Sequence, residues 1–151
     1  ARAWVDPEWR AFLLRDGTAA AEAMGVSMRG NPPLGVLEDT ASVHHLVVCT
    51  LCSCYPRAII GYPPHWYKSA AYRSRAVREP RAGLAEFGTV LPAGIQVRVV
   101  DSTADFRWMV LPLRPEGTEG WSEDELTALV SRDHLVGVSL PSAAHKVSRA
   151  A

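Results

Sequence analysis

The sequence predicts one α+β layered domain, and three observations predict it. Its 151 residues suit a single domain large enough for a real core. Short β-branched, apolar stretches are scattered along the chain rather than gathered in one half. Stretches with helix caps and helical spacing lie between and around them.

The elements follow in order. Asp6 to Met24 reads as a helix: Asp6 suits the N-cap, Pro7 the first helical position, and Trp9, Phe12, Leu13, Ala20 and Met24 give an apolar stripe. Gly17 weakens its middle and Gly25 is a natural stop. Arg29-Gly30-Asn31-Pro32-Pro33 must be loop. His44 to Leu51 is apolar enough for a buried strand and runs into a cysteine cluster. After Pro56, the run Ala58 to Gly61 and Pro63-Pro64, residues Trp66 to Phe87 read as helix in two pieces. Pro80 ends the first and starts the second. Ile95, Val97 and Val99 alternate with Gln96 and Arg98 as a half-buried strand. Arg107 to Leu113 is another strand, and Asp101 to Asp105 is the turn between them. A capping box, Ser122 to Glu125, opens a last helix that ends near His134. Leu135 to Leu140 reads as a final strand. The domain is expected to span 1–141, with a flexible tail over 142–151.

Composition excludes several functions. Lys plus Arg and Asp plus Glu are 16 each, so the formal net charge is zero. That gives no electrostatic case for nucleic acid or an anionic membrane surface. No apolar run approaches the roughly 20 residues that cross a bilayer. The Lys68 to Arg81 stretch is basic and reads as a solvated or partner-facing surface, and Trp66, Tyr67 and Tyr72 as core and interface. Hydrophobic residues at 48% and charged residues at 21% place the chain among ordinary globular domains.

Chemistry concentrates in Cys49, Cys52 and Cys54, the three cysteines of the chain. An odd, tightly clustered set is a poor disulfide framework and suggests a metal or redox centre in a reducing, cytoplasmic compartment. Cys-x-x-Cys lets two sulfurs converge on one ion. Cys52 and Cys54 are close enough that the peptide between them must face the same ion, bringing in the amide nitrogens of Ser53 and Cys54. Two sulfurs and two amides can form a square plane with the third sulfur axial, leaving a sixth position open. The spacing also admits a zinc site completed by His44 or His45, a redox thiol pair, or three buried hydrophobes.

The segment Val48-Cys49-Thr50-Leu51-Cys52-Ser53-Cys54 resembles the metal claw of the nitrile hydratase alpha-subunit family. The likeness extends to Pro63-Pro64-His65-Trp66-Tyr67-Lys68-Ser69, Tyr72 to Arg81, Arg98 to Asp105, Val110-Leu111-Pro112 and Arg114 to Trp121. It covers about Ala1 to Pro141. The resemblance implies an α-β-β-α layered fold whose N-terminal helical arm is absent here. It implies a catalytic subunit that hydrates a nitrile to the amide. Thr50, where the iron type usually has Ser, implies non-corrin Co(III), held by sulfur of Cys49, Cys52 and Cys54 and amide nitrogen of Ser53 and Cys54. Cys52 would mature to sulfinic acid and Cys54 to sulfenic acid. Arginines of a beta-type subunit, or of separate beta and gamma chains, would bind the new oxygens.

Three further positions carry over: Asp101, Asp105 (where Glu is usual) and Arg107, a carboxylate–Arg network that would orient the claw. Arg57 departs from the pattern, since many members have Trp there, lining the substrate pocket. That departure suggests a larger, more polar nitrile, heteroaromatic or nucleoside-like, such as toyocamycin. The alternatives are a thiocyanate hydrolase-type subunit and a non-catalytic thiolate module.

Overall fold

The structure is a computed structural model that describes residues 1–144. The expected tail therefore lies mostly outside the described residues. Among the described residues no helix is long and apolar enough to cross a membrane.

The helix expected over Asp6 to Met24 is two, α2 (Pro7–Arg15) and α3 (Gly17–Ala23), and a short α1 (Arg2–Val5) precedes them. Asp6 caps α2 by accepting from the Trp9 amide at 2.9 Å, with Pro7 in the first turn. Asp16 restarts the chain as a second cap, accepting from the Ala19 amide at 2.9 Å. Gly17 is needed there for space: a Cβ on it would stand 2.6 Å from the Leu34 carbonyl oxygen.

Strand β1 (Leu34–Glu38) is a short element that the sequence reading left unassigned. Gly35 dilutes its apolar pattern, because the Phe106 and Trp108 rings lie where a Cβ would go. Strand β2 (Val43–Val48) follows, then α4 (Arg57–Ile60), α5 (His65–Lys68), α6 (Ala70–Arg78) and α7 (Pro80–Glu86). Pro80 opens α7, as its lack of an N–H requires. Strands β3 (Gln96–Asp101) and β4 (Arg107–Leu111) are adjacent in sequence but join different sheets. β2 pairs with β3 in parallel, from Val43 opposite Gln96 to Val48 opposite Asp101. β1 pairs with β4 in parallel, from Leu34 opposite Arg107 to Glu38 opposite Leu111.

Helices α2 and α3 pack on β1, while α6 packs on β2 and α7 on β3. The two sheets touch through β2 and β4, which gives the α-β-β-α order. Two cores result. One joins Leu46, Val47, Val48, Tyr67, Tyr72 and Leu84. The other joins Ala3, Met28, Val36, Met109 and Leu111 beneath the N-terminal helices.

The C-terminal region differs from expectation. The capping box of Ser122 and Glu125 is present, but its helix, α8 (Glu123–Thr127), is short. A separate α9 (Arg132–Leu135) follows. Leu135 to Leu140 is not a strand. The Gly137 amide donates to His134 O and the Val138 amide to Asp133 O, the paired closure of a helix end, with Gly137 at φ +83°. Val136 and Val138 are buried all the same, so the apolar run that read as a strand is a core-filling turn.

That turn is tied to β2 by a buried polar cluster. Asp39 Oδ2 lies 2.8 Å from His44 Nδ1, an ion-pair contact, and Oδ1 accepts from the His45 amide at 2.7 Å. His44 Nε2 donates to the Gly137 carbonyl at 2.7 Å. Burial pushes the Asp39 carboxyl up, but hydrogen bonds from His44 and His45 and the charge of His44 outweigh it and hold the group below its usual value near 3.8. Burial likewise lowers His44, but Asp39 and the Gly137 carbonyl outweigh it and raise the imidazole above 6.5. The Asp39 contribution is therefore present above its usual value and lost as pH falls through the depressed one. The His44 contribution is complete below 6.5 and lost as pH rises through the raised value. Asp39→Asn should destabilise the fold by about 3 kcal/mol. Thermal unfolding across pH should show the gap between parent and variant widest near about pH 5–6 and narrowing on the alkaline side.

Candidate metal centre

The cysteine cluster begins where the β2–β3 ladder ends. Val48 is the last paired residue of β2, and its carbonyl accepts from the Ser102 amide at 2.7 Å. The opposite residue, Asp101, then catches the loop: it accepts from the Thr50 amide at 2.9 Å and from the Thr50 hydroxyl at 2.5 Å.

The loop turns so that all three sulfurs lie within 4.8 Å of one another. Cys52 Sγ is 3.5 Å from Cys49 Sγ and 3.1 Å from Cys54 Sγ. These separations exceed a disulfide bond, and the three thiols are free. Cys49 and Cys54 are buried and Cys52 is exposed, so the cluster opens to one side only. Hydrogen bonds from the Cys54 and Cys49 thiols and the Ser53 amide lower the Cys52 pKa. Burial and the hydrogen bonds with Cys52 and Cys49 push Cys54 up to about 12. The Cys52 amide also points inward, 3.2 Å from Cys49 Sγ.

The outward-facing carbonyls are held from the helical side. Tyr67 OH donates to Cys54 O at 2.9 Å, Tyr72 OH to Val47 O at 2.6 Å, and Arg73 Nη1 to Leu51 O at 3.2 Å. Tyr55, Tyr67, Tyr72, Trp66 and Phe87 stack edge-on or tilted behind the loop, with Tyr55 and Tyr67 centroids 4.9 Å apart. The sequence reading placed Tyr67 and Tyr72 in the core but missed these bonds. The available signal was chemical: a buried tyrosine hydroxyl must find a partner.

His44 and His45 are not fourth ligands here. Both imidazoles contact Asp39, and among the described residues the metal-competent cluster contains the three cysteines alone. Arg107 is near enough that its charge acts on Cys54, and its guanidinium donates to the Thr103 carbonyl. No hydrogen bond or ion pair joins Asp105 to the loop among the described residues. Its neighbour Phe106 packs on Trp108.

A cavity of about 500 Å³ begins where the loop ends. Tyr55, Pro56, Arg57, Tyr62, Asn31 and Arg107 are among its lining residues, and among the described residues no carboxylate is. The Arg57 guanidinium lies 4.1 Å over the Tyr62 ring. Arg57 and Arg107, far apart in sequence, thus share one cavity.

The chain is similar to known proteins over nearly its whole length. The family model described as "Nitrile hydratase, alpha chain" matches residues 1–139. The low-molecular weight cobalt-containing nitrile hydratase subunit alpha of Rhodococcus rhodochrous is 53% identical over 97% of this chain and 70% of its own length. Thiocyanate hydrolase subunit gamma of Thiobacillus thioparus is 49% identical over 93% of this chain and 63% of its own. A double mutant of the Fe-type nitrile hydratase of Comamonas testosteroni Ni1 superposes with a TM-score of 0.90 at 49% identity, covering 94% of this chain and 69% of that one. The chain thus spans about two thirds of the length of these proteins.

The unequal thiols can be tested chemically. In the reduced, metal-free chain, alkylation at mildly alkaline pH should modify Cys52 at least about tenfold faster than Cys49 or Cys54, read by peptide mass spectrometry.

Proposed function

This chain belongs to the nitrile hydratase alpha-chain family, a family of catalytic hydro-lyase subunits, and on that footing we propose that it holds the metal of an enzyme converting R–C≡N and water to R–C(=O)NH2. The observation that carries the reading is the three-thiol cluster, closed on one side and open on the other. The donor set suits a non-corrin Co(III) bound by sulfur of Cys49, Cys52 and Cys54 and by the amide nitrogens of Ser53 and Cys54. Thr50 and the cobalt-containing relatives favour cobalt over iron. Bound there, the ion supplies a Lewis acid.

The chain's own residues do the rest. Cys52 and Cys54 form the reactive rim, and we assign them the sulfinic and sulfenic states that lower sulfur donation. Asp101 holds the loop through Thr50. Arg107 supplies positive charge beside Cys54. Asp105 acts through the turn that carries Arg107. The remaining donors to the sulfur oxygens come from arginines of a beta-type partner, in one chain or two. Leu51, 88% exposed within the cysteine loop, and Tyr62, 74% exposed at the adjoining cavity, offer that partner an apolar landing.

Arg57 orients the substrate. Its donors and stacking face favour a polar, heteroaromatic or nucleoside-like nitrile, such as toyocamycin, over a small aliphatic one. A second reading has its own support: two arginines and no carboxylate in one cavity also suit an anion. Thiocyanate would then be the substrate, as the name of the thiocyanate hydrolase relative suggests.

Metal analysis and intact mass test the centre. Co-expressed with its partners in cobalt medium, the chain should carry about one cobalt and gain about three oxygen atoms. Zinc with no added oxygen would instead mean a structural thiolate site. Amide formation from a nitrile without carbonyl sulfide from thiocyanate separates the two substrate readings. Arg57→Trp should reverse the preference for polar over small aliphatic nitriles, and an unchanged ranking would remove Arg57 from the pocket.

A further inference from the structure

Arg73 stands apart from the other arginines of its helical segment. Arg75 pairs with Glu79 at 3.1 Å and Glu86 at 2.9 Å. Arg81 closes the loop before β3 by donating to the carbonyls of Leu91, Pro92, Ala93 and Ile95. Arg73 instead reaches across 22 residues of sequence to the Leu51 carbonyl. Its Nε–H is buried and has no hydrogen-bond partner among the described residues. A buried donor left unpaired is unfavourable, and the bond from Nη1 to the Leu51 carbonyl is what offsets it. The base of α6 is firm: Ser69 caps it by accepting from the Tyr72 amide at 3.1 Å.

Leu51 itself cannot anchor the loop by burial, since its side chain is 88% exposed. The hydrogen bond on its carbonyl is the tie. In a trans peptide the C=O and the following N–H point in opposite directions. Drawing Leu51 O toward α6 therefore turns the Cys52 N–H away from α6, toward Cys49 Sγ, 3.2 Å from the Cys52 nitrogen. A charged donor on the carbonyl also polarises the amide and strengthens its N–H as a donor.

We propose that Arg73 is a positioning residue that acts on the cysteine cluster through the Leu51–Cys52 peptide, aiming and strengthening the Cys52 N–H that bonds Cys49 sulfur. The geometry stands on the metal-free chain, while its consequence for a bound ion rests on the proposed metal-centre reading. With cobalt bound, this hydrogen bond draws electron density from Cys49 sulfur and so sets part of its donor strength.

Amide hydrogen exchange in the full metal-free chain tests the geometry directly. Arg73→Gln should speed exchange of the Cys52 amide about tenfold. The Val47 amide, bonded to Val136 O at 2.9 Å, serves as the internal control and should not change. Cys52 exchange within about twofold of the parent overturns the proposal. If Arg73→Gln also loses protection at Val47, the decision passes to Arg73→Met, which keeps the apolar stem but has no donor for the Leu51 carbonyl. Cys52 should then exchange faster with Val47 unchanged, and a rate equal to the parent's overturns the proposal. The cobalt-loaded complex supplies the second readout, a shift in the sulfur-to-cobalt charge-transfer band of Arg73→Gln, and an unshifted band would limit Arg73 to the metal-free geometry and overturn its tuning role. A parent that takes up no cobalt would refute the metal-centre reading and leave the exchange result to judge Arg73.

Discussion

The last rung of the β2–β3 ladder, Val48 opposite Asp101, is the constraint on which the site depends. Parallel pairing carries Asp101 to the point where β2 runs out, so its carboxylate is free to take the Thr50 amide and hydroxyl. A slip of one residue would turn that carboxylate to the other face of the sheet. The cysteine loop therefore inherits its position from a buried sheet whose register is set by Leu46, Val47 and Val48 in the core. The sulfurs are arranged by backbone that cannot move without disturbing the ladder.

The helical side completes the hold. The hydroxyls of Tyr67 and Tyr72 satisfy carbonyls that would otherwise be buried without partners. These rings are wholly or nearly buried among other aromatics, so their hydroxyls have little freedom. Carbonyls tied outward leave amides and sulfurs facing inward, which is the arrangement a compact thiolate site needs. The exposed edge is left to Cys52 and Leu51.

Elsewhere the fold resolves local competition in favour of tertiary contact. Asp16 interrupts what would be one helix because its side chain caps the next and Gly17 admits β1 at close range. The Val136–Val138 segment carries strand-like residues, yet Gly137 bends it into a helix closure. A Cβ at Gly137 would stand 2.0 Å from the His45 carbonyl oxygen. That close approach, and the Asp39–His44 cluster beside it, joins the C-terminal turn to β2.

Much was legible in the residues alone. The Cys-x-x-Cys-x-Cys spacing, the caps at Asp6 and Ser122, the break at Pro80 and the alternation of β3 are local, because each depends on atoms a few positions apart. What lay beyond reach was non-local. The short strand β1 exists because β4 pairs with it, and the leading alternative partners of the cysteines, His44 and His45, are withdrawn by Asp39. The grip of Asp101 on Thr50 spans 51 positions, that of Arg73 on Leu51 spans 22, and Arg57 and Arg107 share one cavity. Which groups could bind a metal follows from chain connectivity, which holds them within reach of one another. How they are aimed follows from the fold, because each aim is set by a hydrogen bond that forms after distant segments have packed.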